Sequence, residues 1–427
     1  MKYDQSSQLN IAVIGGGVAG LVAAYLLQRR HRVSLFERND YVGGHTNTIE
    51  IPSGPDAGTP VDTGFIVLND KTYPLFTKLL SQLDCAVRYS DMSFGYYDEG
   101  SGLQYAGTGL SGLFANRRDL LRPAHWRFLM EIARFCRRAR ADLAAGKLAN
   151  MTVSDYLRDL RISDLARDAY IYPMASAIWS SSLRDISRFP AEMMIRFWEN
   201  HGLLSLEDRP RWQTVVGGSR TYVKKLLGSS RIDCSIRARV ERIERLPGRG
   251  VRVCLPGGMS REFDVAVIAT HADEALHMLA DPSPEERRLL GAWRYQENRA
   301  VLHTDESLMP PNRRAWASWN YRRHRGSGED RPVAVTYHMN RLQGLSTRRQ
   351  YFVSLNVPRP PRDESVIREM TYTHPLYSFD ALRSQAELPS LNGPNRTFFC
   401  GSYFGYGFHE DAVRSAVAVA RQFGIDL

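Results

Sequence analysis

The chain has 427 residues, 43% hydrophobic and 24% charged, an ordinary globular composition that excludes disordered and collagen-like chains. That length suits two domains or one interleaved with another. The net charge of +10 fits an anionic substrate, anionic lipid or nucleic acid, but no nucleic-acid motif accompanies it.

No apolar run approaches the roughly 18 residues needed to span a bilayer. The opening "MKYDQSSQLN" is polar and a strand follows at once, which leaves no room for a secretory signal. Cys85, Cys136, Cys234, Cys254 and Cys400 are scattered without a CxxC. They read as reduced thiols of a cytoplasmic protein.

Residues Ile11 to Ile14 form a short apolar run, as in a buried parallel strand. Gly15, Gly17 and Gly20 follow as G-x-G-x-x-G. The first permits a tight turn, the second lets a pyrophosphate approach the backbone, and the third lets a helix pack on the strand. The helix that begins at Val18 and Ala19 would aim its free amides at the phosphates. A second strand, "HRVSLFE", ends at Glu37 with Arg38 beside it. An acid at that spacing binds a ribose 2′-hydroxyl and disfavours a 2′-phosphate. The expectation is a dinucleotide without a 2′-phosphate, with NAD or FAD still open.

Six later stretches bear on that choice. "ERNDYVGGHTNT" places Gly43, Gly44 and His45 after the acid, and "VDTGFIVLND" adds Asp62, Thr63 and Gly64. "VVGGSRTYVKKLL" precedes "IRARVERIE", which contains Val240, and "FDVAVIATHAD" reads as a buried strand ending near Thr270. "FFCGSYFGYGFHEDAVRSAVAVARQF" holds a strand to Gly401, a glycine-rich turn, and a helix with Ala412 on its apolar side. In order and spacing, these segments resemble the flavin-containing amine oxidase superfamily, which includes monoamine and polyamine oxidases, protoporphyrinogen oxidase and carotenoid desaturases. More narrowly, "GHTNT", "MASAIWS", "NRAVLHTD" and "GYGFHEDA" resemble a bacterial group of FAD-binding oxidoreductases linked to fatty-acid modification.

The resemblance implies an α/β fold of the glutathione-reductase type. A Rossmann-type FAD-binding domain would be interleaved with an α+β substrate domain. The FAD segments would be about 1–75, 210–280 and 390–427. The insertion 76–209 should be mainly helical, and 281–389 should form a mixed sheet roofing the flavin. FAD would be non-covalent, since no cysteine stands where a family-type tether would need it. Its contacts would come from Gly15, Gly17, Val18, Ala19, Gly20, Glu37, Arg38, Gly43, Gly44, His45, Thr63, Gly64, Val240, Thr270, Gly401, Phe408, His409 and Ala412. The last helix's N-terminus would face the flavin and stabilise its anionic reduced form.

No Ser-His-Asp elbow, metal cluster or phosphate-transfer lysine motif appears, so hydride removal by the flavin is the expected chemistry. The family's amine oxidases carry an aromatic cage and a lysine near the flavin. Here Phe408 takes one cage position and the usual Tyr is missing. Asn298-Arg299 stands where the lysine is expected. An Arg299 near the flavin would repel an amine cation and accept an anion.

His409 and Glu410 either face the flavin or, with Glu410 and Asp411 as caps, simply begin the last helix, and His45 either contacts the cofactor or holds its loop. Trp179 and Tyr372 are either pocket wall or core. Trp316, Trp319 and Tyr321 in "WASWNY" either line an apolar tunnel or pack. The stretch from Arg117 to Arg140 reads either as an amphipathic helix on an anionic membrane surface or as a plain solvated helix. The catalytic candidates are therefore Arg299, His409, Phe408 and Tyr372, with no metal. The leading expectation is a desaturase or dehydrogenase of a fatty-acyl lipid. The alternatives are an amine oxidase giving imine and hydrogen peroxide, and a flavoprotein partner without turnover.

Overall fold

The structure is a computed structural model that describes residues 7–205, 209–326, 328, 330 and 333–427. The first six residues of the polar opening lie outside it.

Five parallel strands form the nucleotide sheet. Across it run Asp233–Ser235, Arg32–Phe36, Asn10–Ile14, Val265–Ile268 and Thr397–Phe399. Alternation of side chains along each strand sends successive residues to opposite faces. Ile11, Val13, Leu35 and Val267 pack on one face with the first helix, Val18–Leu27, and the last, His409–Gln422. Ala12, Ile14, Phe36 and Ile268 pack on the other, where the antiparallel strands Arg242–Leu246, Gly250–Cys254 and Ser260–Phe263 contribute Ile243, Val251 and Val253. Both faces are covered, which is why these strands read as continuous apolar runs.

The antiparallel layer is pinned by a buried ion pair. Arg245 donates to Glu286 at 2.5 Å, and their side chains are only 7% and 4% exposed. Arg245 also donates to Thr397 Oγ1 at 3.1 Å, at the edge of the nucleotide sheet.

The second large element is a seven-stranded sheet. Its order is Val366–Leu376, Arg294–His303, Phe352–Leu355, Val335–His338, Trp319–Arg323, Phe94–Asp98 and Gln104–Ala106. All neighbours are antiparallel except Trp319–Arg323 with Phe94–Asp98. The last two strands belong to the stretch read as mainly helical. They form a hairpin around Glu99-Gly100-Ser101-Gly102, where Asp98 accepts from the Gly100 amide and Ser101 hydroxyl. The rest of that stretch is rich in helix, including Pro123–Ala144, Tyr172–Trp179 and Ala191–Asn200. All five cysteines are free thiols. Among the described residues, no helix is long and apolar enough to cross a membrane.

Removing Glu286 would leave the buried Arg245 with only the more distant and exposed Asp281, 3.6 Å away, as counter-charge. Glu286→Ala should therefore cost about 3–5 kcal/mol of unfolding free energy. Denaturant titration measures this, and a loss under about 1 kcal/mol would show that water or another acid compensates Arg245.

Candidate active site

The glycine loop is built as the chemistry of a pyrophosphate requires. Gly15 has φ +102°, and a Cβ there would sit 2.8 Å from the Ala269 carbonyl. At Gly20 a Cβ would fall 1.9 Å from the Gly15 carbonyl, so the first helix can lie against the strand only with glycine at that place. Gly17 is the helix N-cap and carries no side-chain cap. A Cβ on it would meet nothing within 4 Å, because it points into open space. Val18 and Ala19 line that same space. Free amides at a helix start, open to a cavity, form a ready anion site.

A second turn lies against the first. The Gly43 amide donates to the Gly16 carbonyl at 2.7 Å. Gly43 and Gly44 take φ +128° and +58°, and a Cβ on Gly44 would be 3.2 Å from the Gly17 Cα. Glu37, buried at the end of its strand, accepts from the amides of Gly16 at 2.7 Å and Asn39 at 2.8 Å. Its carboxylate is thus locked beside the cradle. Arg38 reaches Glu274 at 2.6 Å, and both line the cavity together with Val240 and Thr270.

The cavity encloses about 1660 Å³. Beyond the glycine turns it passes Thr63, Gly64, Gly401, Phe408, His409 and Ala412. Asp62 staples the loops around this part. It accepts from Thr48 Oγ1 at 2.5 Å, from the Ser219 amide at 2.8 Å and from Gln343 Nε2 at 3.0 Å. Burial raises its pKa to about 6 despite those donors.

His409 sits on the last helix but faces inward. Its Nε2 lies 2.9 Å from the Tyr222 hydroxyl, which lies 2.7 Å from Thr46 Oγ1. Its ring stacks on Phe65 at 3.7 Å. Burial depresses its pKa to about 3, so it is neutral at physiological pH. Helix capping is shared differently than expected. Asp411 accepts from the Phe408 amide and caps its own helix. Glu410 instead accepts from the amides of Leu75 and Phe76, capping the separate helix Pro74–Gln82.

Tyr372 is buried and lines the cavity. Its hydroxyl bonds Thr63 Oγ1 at 2.7 Å and accepts from Asn47 Nδ2 at 3.1 Å. His45 stacks against it at 4.9 Å and lies 5.2 Å from the His374 ring. The buried Nε2 of His45 has no protein partner, so a donor or acceptor is left for a cavity ligand. Desolvation first, then His374 and His271, drive the His45 pKa well below its usual value. Phe408 stacks on Phe197 at 4.8 Å, and Trp179 donates its indole N–H to the Tyr406 carbonyl. All four of these aromatic residues line the cavity.

Arg299 does not belong to this site. Its side chain is half-exposed and ion-paired with Glu369 on the adjacent strand. Strand alternation explains the correction. Asn298 turns into the buried side, 3.1 Å from His374 Nδ1, so Arg299 must turn out. Trp316 and Tyr321 are likewise core. Trp316 donates to the Pro310 carbonyl and packs on Phe352, Tyr321 stacks on Tyr96, and only Trp319 of the three lines the cavity. The sequence reading passed over His374 and His271, which both face the cavity. His374 stands two residues after Tyr372, so the two-residue repeat of the strand was the available signal.

The pattern of the family of flavin containing amine oxidoreductases matches residues 18–313, and the chain belongs to that family. Solved structures share the fold. A putrescine oxidase is 16% identical, with 97% of this chain and 99% of that one covered at a TM-score of 0.70. Cyclohexylamine oxidase from Brevibacterium oxydans IH-35A is 15% identical over 98% and 100%, with a TM-score of 0.68. A CLA-producing fatty acid isomerase from P. acnes is 16% identical over 97% of each chain, with a TM-score of 0.64. The protein is an FAD-dependent oxidoreductase of an α/β fold in which a Rossmann-type domain accompanies a substrate domain. The uncapped helix start, the space before Gly17, the locked Glu37 and the unpartnered His45 fit that cofactor.

Two glycine variants separate folding from binding. Gly17→Val should fold yet lose FAD, because its Cβ meets no protein atom within 4 Å and its side chain would occupy the space meant for phosphate. Gly20→Ala should destabilise the whole chain by more than about 3 kcal/mol, since backbone must move. Flavin content and melting curves read both, and a Gly17→Val protein that keeps its FAD would refute the cradle.

Stability should also fall in acid. His201 and His303 are buried with pKa values of about 4, and His409 with about 3. Above about pH 6.5 these residues are neutral in both folded and unfolded chains. Between about pH 6.5 and 4 the unfolded chain gains protons that the folded one refuses. Each residue then removes up to about 1.4 kcal/mol per pH unit. Equal denaturation midpoints at pH 7.5 and pH 5 would contradict this.

Proposed function

We propose that the protein removes a hydride from a fatty-acyl lipid, acting as a desaturase or dehydrogenase. The observation that carries this reading is the chemical division of the cavity. Its carboxylates, Glu37, Glu241, Asp273 and Glu274, all line the nucleotide end. The remainder is walled by Met92, Leu113, Leu129, Ile132, Met174 and Leu355 among others. Such walls suit an alkyl chain and give an ammonium group no counter-charge.

Bound FAD supplies the hydride acceptor. Tyr372 and Thr63, held to one another and to Asn47, form a fixed polar edge beside it. The neutral histidines His45, His374 and His409 add polar contacts without adding positive charge. Phe197, Phe408 and Trp179 exclude water from the space where a substrate carbon would lie. The role first given to Arg299 passes to Arg209 and Arg211, which are exposed yet line the cavity. They would hold a carboxylate or phosphate head where it remains solvated.

The amine oxidase reading keeps the support of family frequency and of the amine oxidases among the structural neighbours. Those likenesses, at 15–16% identity, bear on fold alone. Anaerobic titration of the flavin separates the readings. Unsaturated or branched fatty-acyl lipids should bleach it, and simple mono-, di- and polyamines should not. Rapid bleaching by an amine, with none by acyl lipids, would reverse the assignment.

A further inference from the structure

Part of the cavity's apolar wall and the most apolar part of the surface belong to the same segment. Among the described residues, ten large apolar side chains stand exposed, and five of them fall between 110 and 130. Leu110 is 75% exposed, Leu121 87% and Met130 61%, with Leu120 and Trp126 at 44% each. Trp126 and Met130 stand one turn apart on a single helix, and Trp126 is fixed to Leu120. The Trp126 indole donates to the Leu120 carbonyl at 3.0 Å and its ring packs on Phe114 at 4.9 Å. The turn Arg117–Leu121 is thereby tied to the helix Pro123–Ala144.

Positive charge surrounds these residues. Residues 110–138 contain seven arginines against two carboxylates, and both carboxylates are engaged. Asp119 is buried against Arg122, and Glu131 accepts from Ser163. Arg118, Arg127, Arg134 and Arg137 are exposed and make no ion pair among the described residues. An apolar patch framed by unpaired arginines suits the interface of an anionic bilayer, where the chains take the apolar groups and the phosphates take the cations. Such a concentration on a lone soluble face would otherwise be a liability.

The same helix supplies the second observation. Leu129 and Ile132 line the cavity while their neighbours Trp126 and Met130 face solvent. Leu113, on the turn before it, also lines the cavity. The exposed patch and the apolar wall are therefore adjacent faces of one thin layer.

We infer that residues 110–137 form a docking surface for an anionic lipid bilayer. Leu110, Leu121, Trp126 and Met130 enter the headgroup region, and the four unpaired arginines bind lipid phosphates. Passage of an acyl chain from the bilayer past Leu113 and Leu129 rests on the substrate reading above. The docking itself does not.

Sedimentation of the FAD-loaded protein with vesicles tests it. The protein should pellet with phosphatidylglycerol–phosphatidylcholine vesicles. Binding should fall at least about tenfold with phosphatidylcholine alone, and again in high salt. Leu121→Glu/Met130→Glu should weaken binding at least about tenfold while flavin content and melting temperature stay unchanged, because both side chains are exposed. Wild-type protein left in the supernatant with anionic vesicles would overturn the inference, as would equal pelleting of the variant. A wild-type dimer that the variant dissociates, without vesicle binding, would assign the patch to a second copy instead. Vesicle binding without flavin bleaching by any acyl lipid would retain the docking surface and reject the substrate reading.

Discussion

Two backbones touch at the centre of this protein, and the site depends on that contact. The Gly20 position lies so close to the Gly15 carbonyl that a methyl group would overlap it. Only this approach brings the first helix down onto the opening strand and turns its uncapped amides toward the cavity. The Gly43 turn then seats on the Gly16 carbonyl. Glu37 binds the Gly16 amide from the neighbouring strand. Three segments of chain are thus held at backbone distance, leaving a phosphate-sized space before Gly17. Side chains could not build so small a cradle, because their volume would fill it.

Burial governs the chemistry farther along the cavity. His45, His374 and His409 are close together and desolvated, so each is held in its neutral form. Imidazoles that would be partly protonated at about pH 6.5 in water are instead held neutral and supply hydrogen bonds. Asp62 shows the opposite case. Burial raises its pKa, yet donors from three distant segments make it the tie between the loops. The cavity therefore changes from polar and cradled at the nucleotide to neutral and aromatic at the centre. It ends in a wall of mixed aliphatic and aromatic side chains.

The seven-stranded sheet decides which side chains reach that centre. Tyr372 and His374 are two apart on one strand and face inward together. Asn298 faces them from the next strand, and Arg299 pairs with Glu369 outside. A one-residue change in register would exchange these roles. The placement of a cation near the flavin thus turned on strand parity, which spacing along the chain leaves undetermined.

The nucleotide half is legible in local stretches of the chain. Glycine spacing, the apolar run before it and the acid at the next strand end are local features, and backbone sterics allow them few arrangements. Gly15, Gly17, Gly20, Glu37 and the last helix could be located for that reason. The tertiary structure alone decided what faces the substrate. The pairing of Glu410 with a different helix, the turning of Arg299 to solvent and the gathering of His45, His271 and His374 all join residues far apart in sequence. Their partners are selected by sheet register and by burial, neither of which any single stretch of the chain contains.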